Sequence, residues 1–290
     1  MLSLLLLYVL ILLSSYSSLL EASVDESFRE CSHFLYHQKP PQGVRQPGLH
    51  MICQRFEGVP RYATLYDPAR RIPLYSAYTF KGSNGEKMGN YPWMYEPQLS
   101  SASETGNMQP FPQSGVGQRL EEGQAVLADY TDAFIYERGQ LNPDQHQSMV
   151  GDKAATYTLT NVVPMTKEFL RKRWEPYLET VRQRLNNYCR GKAYVVTGIT
   201  TAGLTMRRAN INRVTVPKHI WSAYCCPDFD PGVPYDIRYK FPSFAAYGLN
   251  DVLDNDINEV SSKSLEMLVK REMPVDQNFQ LFYGNCIQEV

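Results

Sequence analysis

The stretch Tyr136-Glu137-Arg138-Gly139-Gln140-Leu141-Asn142-Pro143 packs an acid, a guanidinium, a glycine and an amide into consecutive positions near the middle of the chain. A turn accounts for Gly139, which tolerates positive φ, and for Asn142-Pro143, which favours turn initiation. It does not account for Arg138 and Gln140 on either side of the glycine. That pairing needs a reason from the surrounding sequence.

On the C-terminal side, Ala155 to Val163 is rich in β-branched and aromatic residues and predicts a strand. Thr166 to Cys189 predicts a helix, because Phe169, Trp174, Tyr177, Leu178, Val181 and Leu185 recur on one face. Pro176 marks a first turn or a kink in it. Lys167, Arg171, Lys172 and Arg173 cluster at its start, where the helix dipole prefers acids. Ala193 to Ile199 reads as a buried strand followed by a Gly- and Arg-containing loop. Asn212 to Pro217 and His219 to Cys225 continue the sheet. On the N-terminal side, Arg61 to Tyr66 and Ile72 to Phe80 predict two antiparallel strands around the turn signal Asp67-Pro68. Residues 81–118 predict a long loop and Glu121 to Tyr130 a short helix. Ser262 to Arg271 predicts a helix with Leu265, Leu268 and Val269 turned inward. The fold class is α+β, with a central antiparallel sheet and helices packed on it.

The ends set the compartment. Leu2 to Leu13 is almost wholly apolar, and small polar residues follow. Residues 1–22 read as a secretory signal peptide cleaved near Ala22-Ser23, since the run falls short of the roughly 18 residues a membrane span needs. A secreted protein with no membrane segment after cleavage is expected. Residues 23–290 form one domain, with 23–60 a disulfide-linked leader and 228–290 an irregular C-terminal tail. A net charge of −1 excludes a protein-wide basic field, so a polyanion partner has to meet a local patch. The six cysteines, Cys31, Cys53, Cys189, Cys225, Cys226 and Cys286, suggest disulfides and show no zinc spacing. Cys31 with Cys53 would staple the leader, and Cys225 or Cys226 with Cys286 would tie down the tail. Cys189 is left free or pairs with the other of the two adjacent cysteines.

Five segments in order carry a resemblance: Ile72 to Tyr78, Glu137 to Pro143, Thr156 to Met165, Val195 to Gly198 and Arg213 to Trp221. Together they resemble the DNA/RNA non-specific endonuclease family, most closely its secreted branch of endonuclease domain-containing 1 proteins. The resemblance implies a ββα-metal nuclease motif of the His-Me finger type, a β-hairpin followed by a helix. It implies one-metal hydrolysis of phosphodiesters. In that family the signature strand reads Asp-Arg-Gly-His, with the His as general base and the Arg on the phosphate. An Asn on the following helix holds a Mg²⁺-type ion.

Carried over by position, Glu137 stands at the Asp, Arg138 and Gly139 match, Gln140 stands at the base His, and Leu170 stands at the metal-ligand Asn. An amide is no base, and leucine offers no lone pair to a cation. The resemblance therefore implies a nucleic-acid-binding protein, of DNA or RNA, whose phosphodiesterase activity is lost or strongly reduced and whose Mg²⁺ binding is in doubt. Two alternatives are an active metal-dependent DNase/RNase with another residue, such as His146, as base, and an extracellular domain that binds a protein partner. Arg138 either pairs with Glu137 or Asp144 or faces a phosphate, as the signature implies. Lys167, Arg171, Lys172 and Arg173 are either a solvated helix face or phosphate contacts.

Overall fold

A computed structural model describes residues 24–25, 27–44, 46–113 and 115–287. The expected signal peptide lies outside the described residues. In chain order the strands are β1 (Val24–Asp25), β2 (Gln42–Val44), β3 (His50–Phe56), β4 (Val59–Asp67), β5 (Ile72–Phe80), β6 (Met94–Tyr95) and β7 (Gln109–Pro110). They continue with β8 (Tyr136–Gln140), β9 (Val162–Thr166), β10 (Ala193–Arg208), β11 (Ile211–Cys225), β12 (Ser243–Leu249), β13 (Asn258–Val260) and β14 (Val275–Gln280). Eight of them form one antiparallel sheet in the order β1-β3-β4-β5-β10-β11-β12-β13. The fold is thus α+β around a central antiparallel sheet.

β5 and the inner parts of β10 and β11 are buried on both faces, where β-branched and aromatic residues dominate and buried hydroxyls pair across strands, Thr64 with Ser76 and Thr197 with Ser222. Proline cannot donate to a ladder. Accordingly, the register shifts between Leu65 and Tyr66, where Tyr66 meets Pro73, and again at Thr200/Thr201, where Thr201 meets Pro217. Outside this sheet, β8 pairs antiparallel with β9, placing Gly139 opposite Val163 and Gln140 opposite Val162. A helix follows at once. We call it α1: Lys167–Phe169 is α-helical, Leu170–Trp174 is π-helical and Glu175–Tyr188 is α-helical again. Pro176 sits inside this continuous helix just after the π-helical turn, where it has no N–H to donate to an upstream carbonyl. Thr166 starts α1 by accepting the Phe169 N–H at 3.2 Å. The arrangement of two antiparallel strands and a helix implied by the resemblance is present in this segment.

Several local expectations change. Only the end of Ala155 to Val163 is a strand: a short helix ends at Ala155, Leu159–Asn161 is a 3₁₀ turn, and β9 begins at Val162. Glu121 to Tyr130 divides into a helix at Gln118–Gly123 and a 3₁₀ turn at Leu127–Tyr130. The expected loop after Ile199 is the outer arm of β10. The tail is not irregular, since β12 adds to the sheet through β11 and a second long helix, α2 (Ser262–Glu272), buries Leu265, Leu268 and Val269. Likewise the second half of the leader is β3, a strand of the main sheet. Cys225 bonds to Cys286 and Cys189 to Cys226. Cys31 and Cys53, the expected leader staple, are buried free thiols.

Candidate active site and nucleic-acid interface

Asparagines hold the β8/β9 pair in place. Asn161 Oδ1 accepts Ser76 Oγ and the Asn142 N–H at 2.9 Å each, while its Nδ2 donates to Asn142 O at 2.9 Å and Thr156 O at 3.0 Å. One buried amide thus ties β5 to both turns that border the pair, with every hydrogen-bonding capacity used. Asn250, just past β12, does the same from the other side: it accepts the Thr166 N–H at 2.8 Å and donates to Pro164 O and Pro217 O. Gly139 leaves room for Met165 of β9: a Cβ there would lie 2.3 Å from Met165 Sδ, and that side chain would have to move.

Around β8 and α1 lies a cleft of about 170 Å³ whose lining includes Arg138, Gln140, Asp144, Tyr157, Leu170 and Trp174. Gln140 is committed on both ends of its amide. Its Nε2 donates to Thr156 Oγ1 at 3.0 Å and Thr156 O at 3.2 Å, and its Oε1 accepts the Asp144 N–H at 3.3 Å. Asp144 Oδ2 in turn accepts the Tyr157 hydroxyl at 2.6 Å and the Met88 N–H at 2.9 Å. Leu170, in the π-helical turn, presents an apolar wall with Trp174 and Leu178. Such turns often accompany functional sites because they re-aim the side chains of a helix.

A Mg²⁺-type ion needs hard oxygen donors. Here Leu170 has none, the Gln140 oxygen is occupied, and among the described residues no three His, Cys, Asp or Glu side chains converge. The residues present do not fit the ion.

Arg138 has neither of the carboxylates its position offers. Asp144 is bonded elsewhere, and Glu137 is gripped by Arg171, through Nε at 3.0 Å and a second short contact from Nη2. Instead the guanidinium stacks 4.6 Å from the centre of the Trp93 ring. Burial, the largest influence, lowers its pKa. No carboxylate pairs with Arg138 among the described residues. Two more donors lining the cleft, the buried Trp174 Nε1 and Gln145 Nε2, have no acceptor there. Arg138 and Trp93 also wall an adjoining hollow of about 380 Å³ reached by Lys167.

The rest of the basic run points into ion pairs. Arg171 holds Glu137, Lys172 meets Glu168, and Arg173 meets Asn255 and Asp256. Of the four, only Lys167 joins Arg138. Trp93 and Tyr157 were not legible as site residues. Trp93 arrives from the long loop because Met94 N–H bonds to Tyr157 O at 2.8 Å, and no local pattern signals that contact.

His146 lines no part of this cleft. Its Nε2 faces Leu178 O at 2.9 Å and so carries the proton, leaving Nδ1 to accept from Tyr78 OH at 2.8 Å. Burial pushes its pKa down to about 4. An unfolded histidine titrates near 6.5, so between these values the unfolded chain holds the extra proton and stability falls with falling pH. His146 is expected to withdraw about 2–3 kcal/mol by pH 4.5. Urea unfolding at pH 7 and pH 4.5 should show a smaller loss for His146→Gln than for the unmodified protein, and equal losses would refute this.

A family model described as DNA/RNA non-specific endonuclease matches residues 45–268. Human (Homo sapiens) endonuclease domain-containing 1 protein is 32% identical over 279 residues, 90% of this chain and 48% of that protein. The mouse (Mus musculus) protein of the same name is 32% identical over 278 residues, 89% of this chain and 48% of its own. The chain spans about half the length of these curated relatives. Among solved structures, the crystal structure of the EndoG/EndoGI complex, which concerns the mechanism of EndoG inhibition, is similar at a TM-score of 0.47. Its identity is 18%, covering 71% of this chain and 80% of that one.

Proposed function

Because the chain belongs to the DNA/RNA non-specific endonuclease family, we propose that it is a secreted member that binds nucleic acid and has lost, or nearly lost, phosphodiesterase activity. The observation that carries this reading is the bonding of Gln140. The side chain at the expected base position clips Thr156 to Asp144, and its amide can take no proton from water. Leu170 removes the expected metal ligand beside it.

What supports binding is the guanidinium of Arg138, held by Trp93 and left without a carboxylate, with Lys167 at the neighbouring hollow. What supports secretion is the apolar run Leu2 to Leu13 together with two disulfides, which persist in oxidising compartments.

Retention on immobilised DNA across a salt series tests the binding. Phosphate contacts release counterions, so affinity should fall linearly on a log–log plot against salt. Arg138→Ala should flatten that slope by about 1 and Lys167→Ala by about 1 more. Absence of salt-dependent retention, or a slope untouched by either change, would overturn nucleic-acid binding through this cleft.

A further inference from the structure

Asp144 and Gln145 line the cleft, whereas His146 and Gln147 line a separate concave surface beyond that turn. This surface is made of two hollows, about 590 Å³ and 270 Å³, that share His33 and Lys192. Among the described residues its only lining carboxylate is Asp152, which is paired with Arg61 at 2.9 Å. Lys81 and Lys192 are exposed, as is Lys39 at one end, and none of the three has an ion pair among the described residues. Two of them are set by aromatic rings. Lys192 Nζ lies 4.8 Å from the centre of the Tyr194 ring, and Lys39 Nζ 4.9 Å from that of Tyr283, which packs on His37. Two of the three also bear on one imidazole: protonation of His33 is opposed first by burial and then by Lys192 and Lys81. In a chain of net charge −1, such an uncompensated cluster is a local focus of positive potential.

We propose that this groove binds a linear sulfated polysaccharide. A strand of single-stranded nucleic acid is the obvious rival, but it draws on free ring faces for stacking. Here Tyr194 and Tyr283 carry lysines, and Tyr36 is buried and edge-on to Tyr194. Of the two lining amides, Gln38 and Gln147, the second already donates its Nε2 to Asn142. Repeated sulfates need only spaced point charges, which lysine ammoniums supply. The proposal does not depend on the function assigned to the cleft.

The test is salt-gradient elution of the full secreted protein from heparin, from chemically desulfated heparin and from immobilised single-stranded DNA. Lys81→Glu with Lys192→Glu, both at exposed positions, should weaken heparin binding by about tenfold, well beyond the effect of Arg138→Ala in the cleft. Desulfation should abolish retention. Unchanged heparin elution of the folded double variant, or retention that survives desulfation, would overturn the proposal. So would DNA retention that exceeds heparin retention and is lost in the same double variant, since that would make the groove a nucleic-acid site.

Discussion

Plasmid and RNA are expected to remain intact with the unmodified protein in Mg²⁺ or Mn²⁺, while protein carrying both Gln140→His and Leu170→Asn cuts them and stops cutting in EDTA. A positioned base contributes about 10²–10⁴-fold and a metal several kcal/mol, so neither single change should restore much. The structure predicts what the rescue costs in stability. Gln140→His gives up two donations to Thr156 and the acceptance of the Asp144 N–H, at about 1 kcal/mol for each bond. Leu170→Asn places an amide where a buried apolar side chain adjoins Trp174. Assays therefore belong well below the unfolding temperature, with folding checked by circular dichroism. EDTA-sensitive cutting by the unmodified protein would sink the loss-of-activity reading. A folded but silent double variant would show that the site has diverged beyond these two positions.

The central strands were readable because their side chains are buried on both faces, so composition alone marks them. Ala155 to Val163 misled for the opposite reason: its Thr, Tyr and Val residues fit a strand, yet Asn161 binds the turns around them and holds the segment in helical turns. β-propensity measures fit to a half-buried surface and not a backbone preference. β12 was missed because its case rests on pairing with β11, across the Pro-rich segment between them, whereas β3 was missed although its partner β4 follows at once. Within the site, Arg138, Gln140 and Leu170 were legible through the motif they depart from. Trp93 was not, because it lies 45 residues from the arginine it supports. The basic run illustrates the limit of counting charges: four cations are visible in the sequence, Lys172 meets Glu168 one turn away, and Arg171 and Arg173 meet side chains that only the fold brings near.

The largest loss of stability is expected from Asp129→Ala, at about 3–5 kcal/mol. The Asp129 side chain is fully buried and binds Arg213 through Oδ1 to Nε at 2.8 Å and Oδ2 to Nη2 at 3.1 Å. It also accepts the Val126 N–H at 3.0 Å. Removing it leaves Arg213, itself 7% exposed, as a buried charge without a partner, together with an orphaned backbone donor. Arg208 reaches Asp129 only at 3.4 Å and keeps Glu121, so Arg208→Gln should cost under about 1 kcal/mol. Because total stability is typically 5–15 kcal/mol, Asp129→Ala alone removes a large share of it. The consequence reaches the cleft, since the turn at Leu127–Tyr130 carries Tyr130 to the hollow beside Arg138 and leads into β8. Arg213→Met in the same chain removes the unpaired charge, so the double variant should be less destabilised than the sum of the singles by at least about 1 kcal/mol. Additive losses in chemical denaturation, or an Asp129→Ala cost below about 1 kcal/mol, would mean that this pair does not anchor the strand on which the site is built.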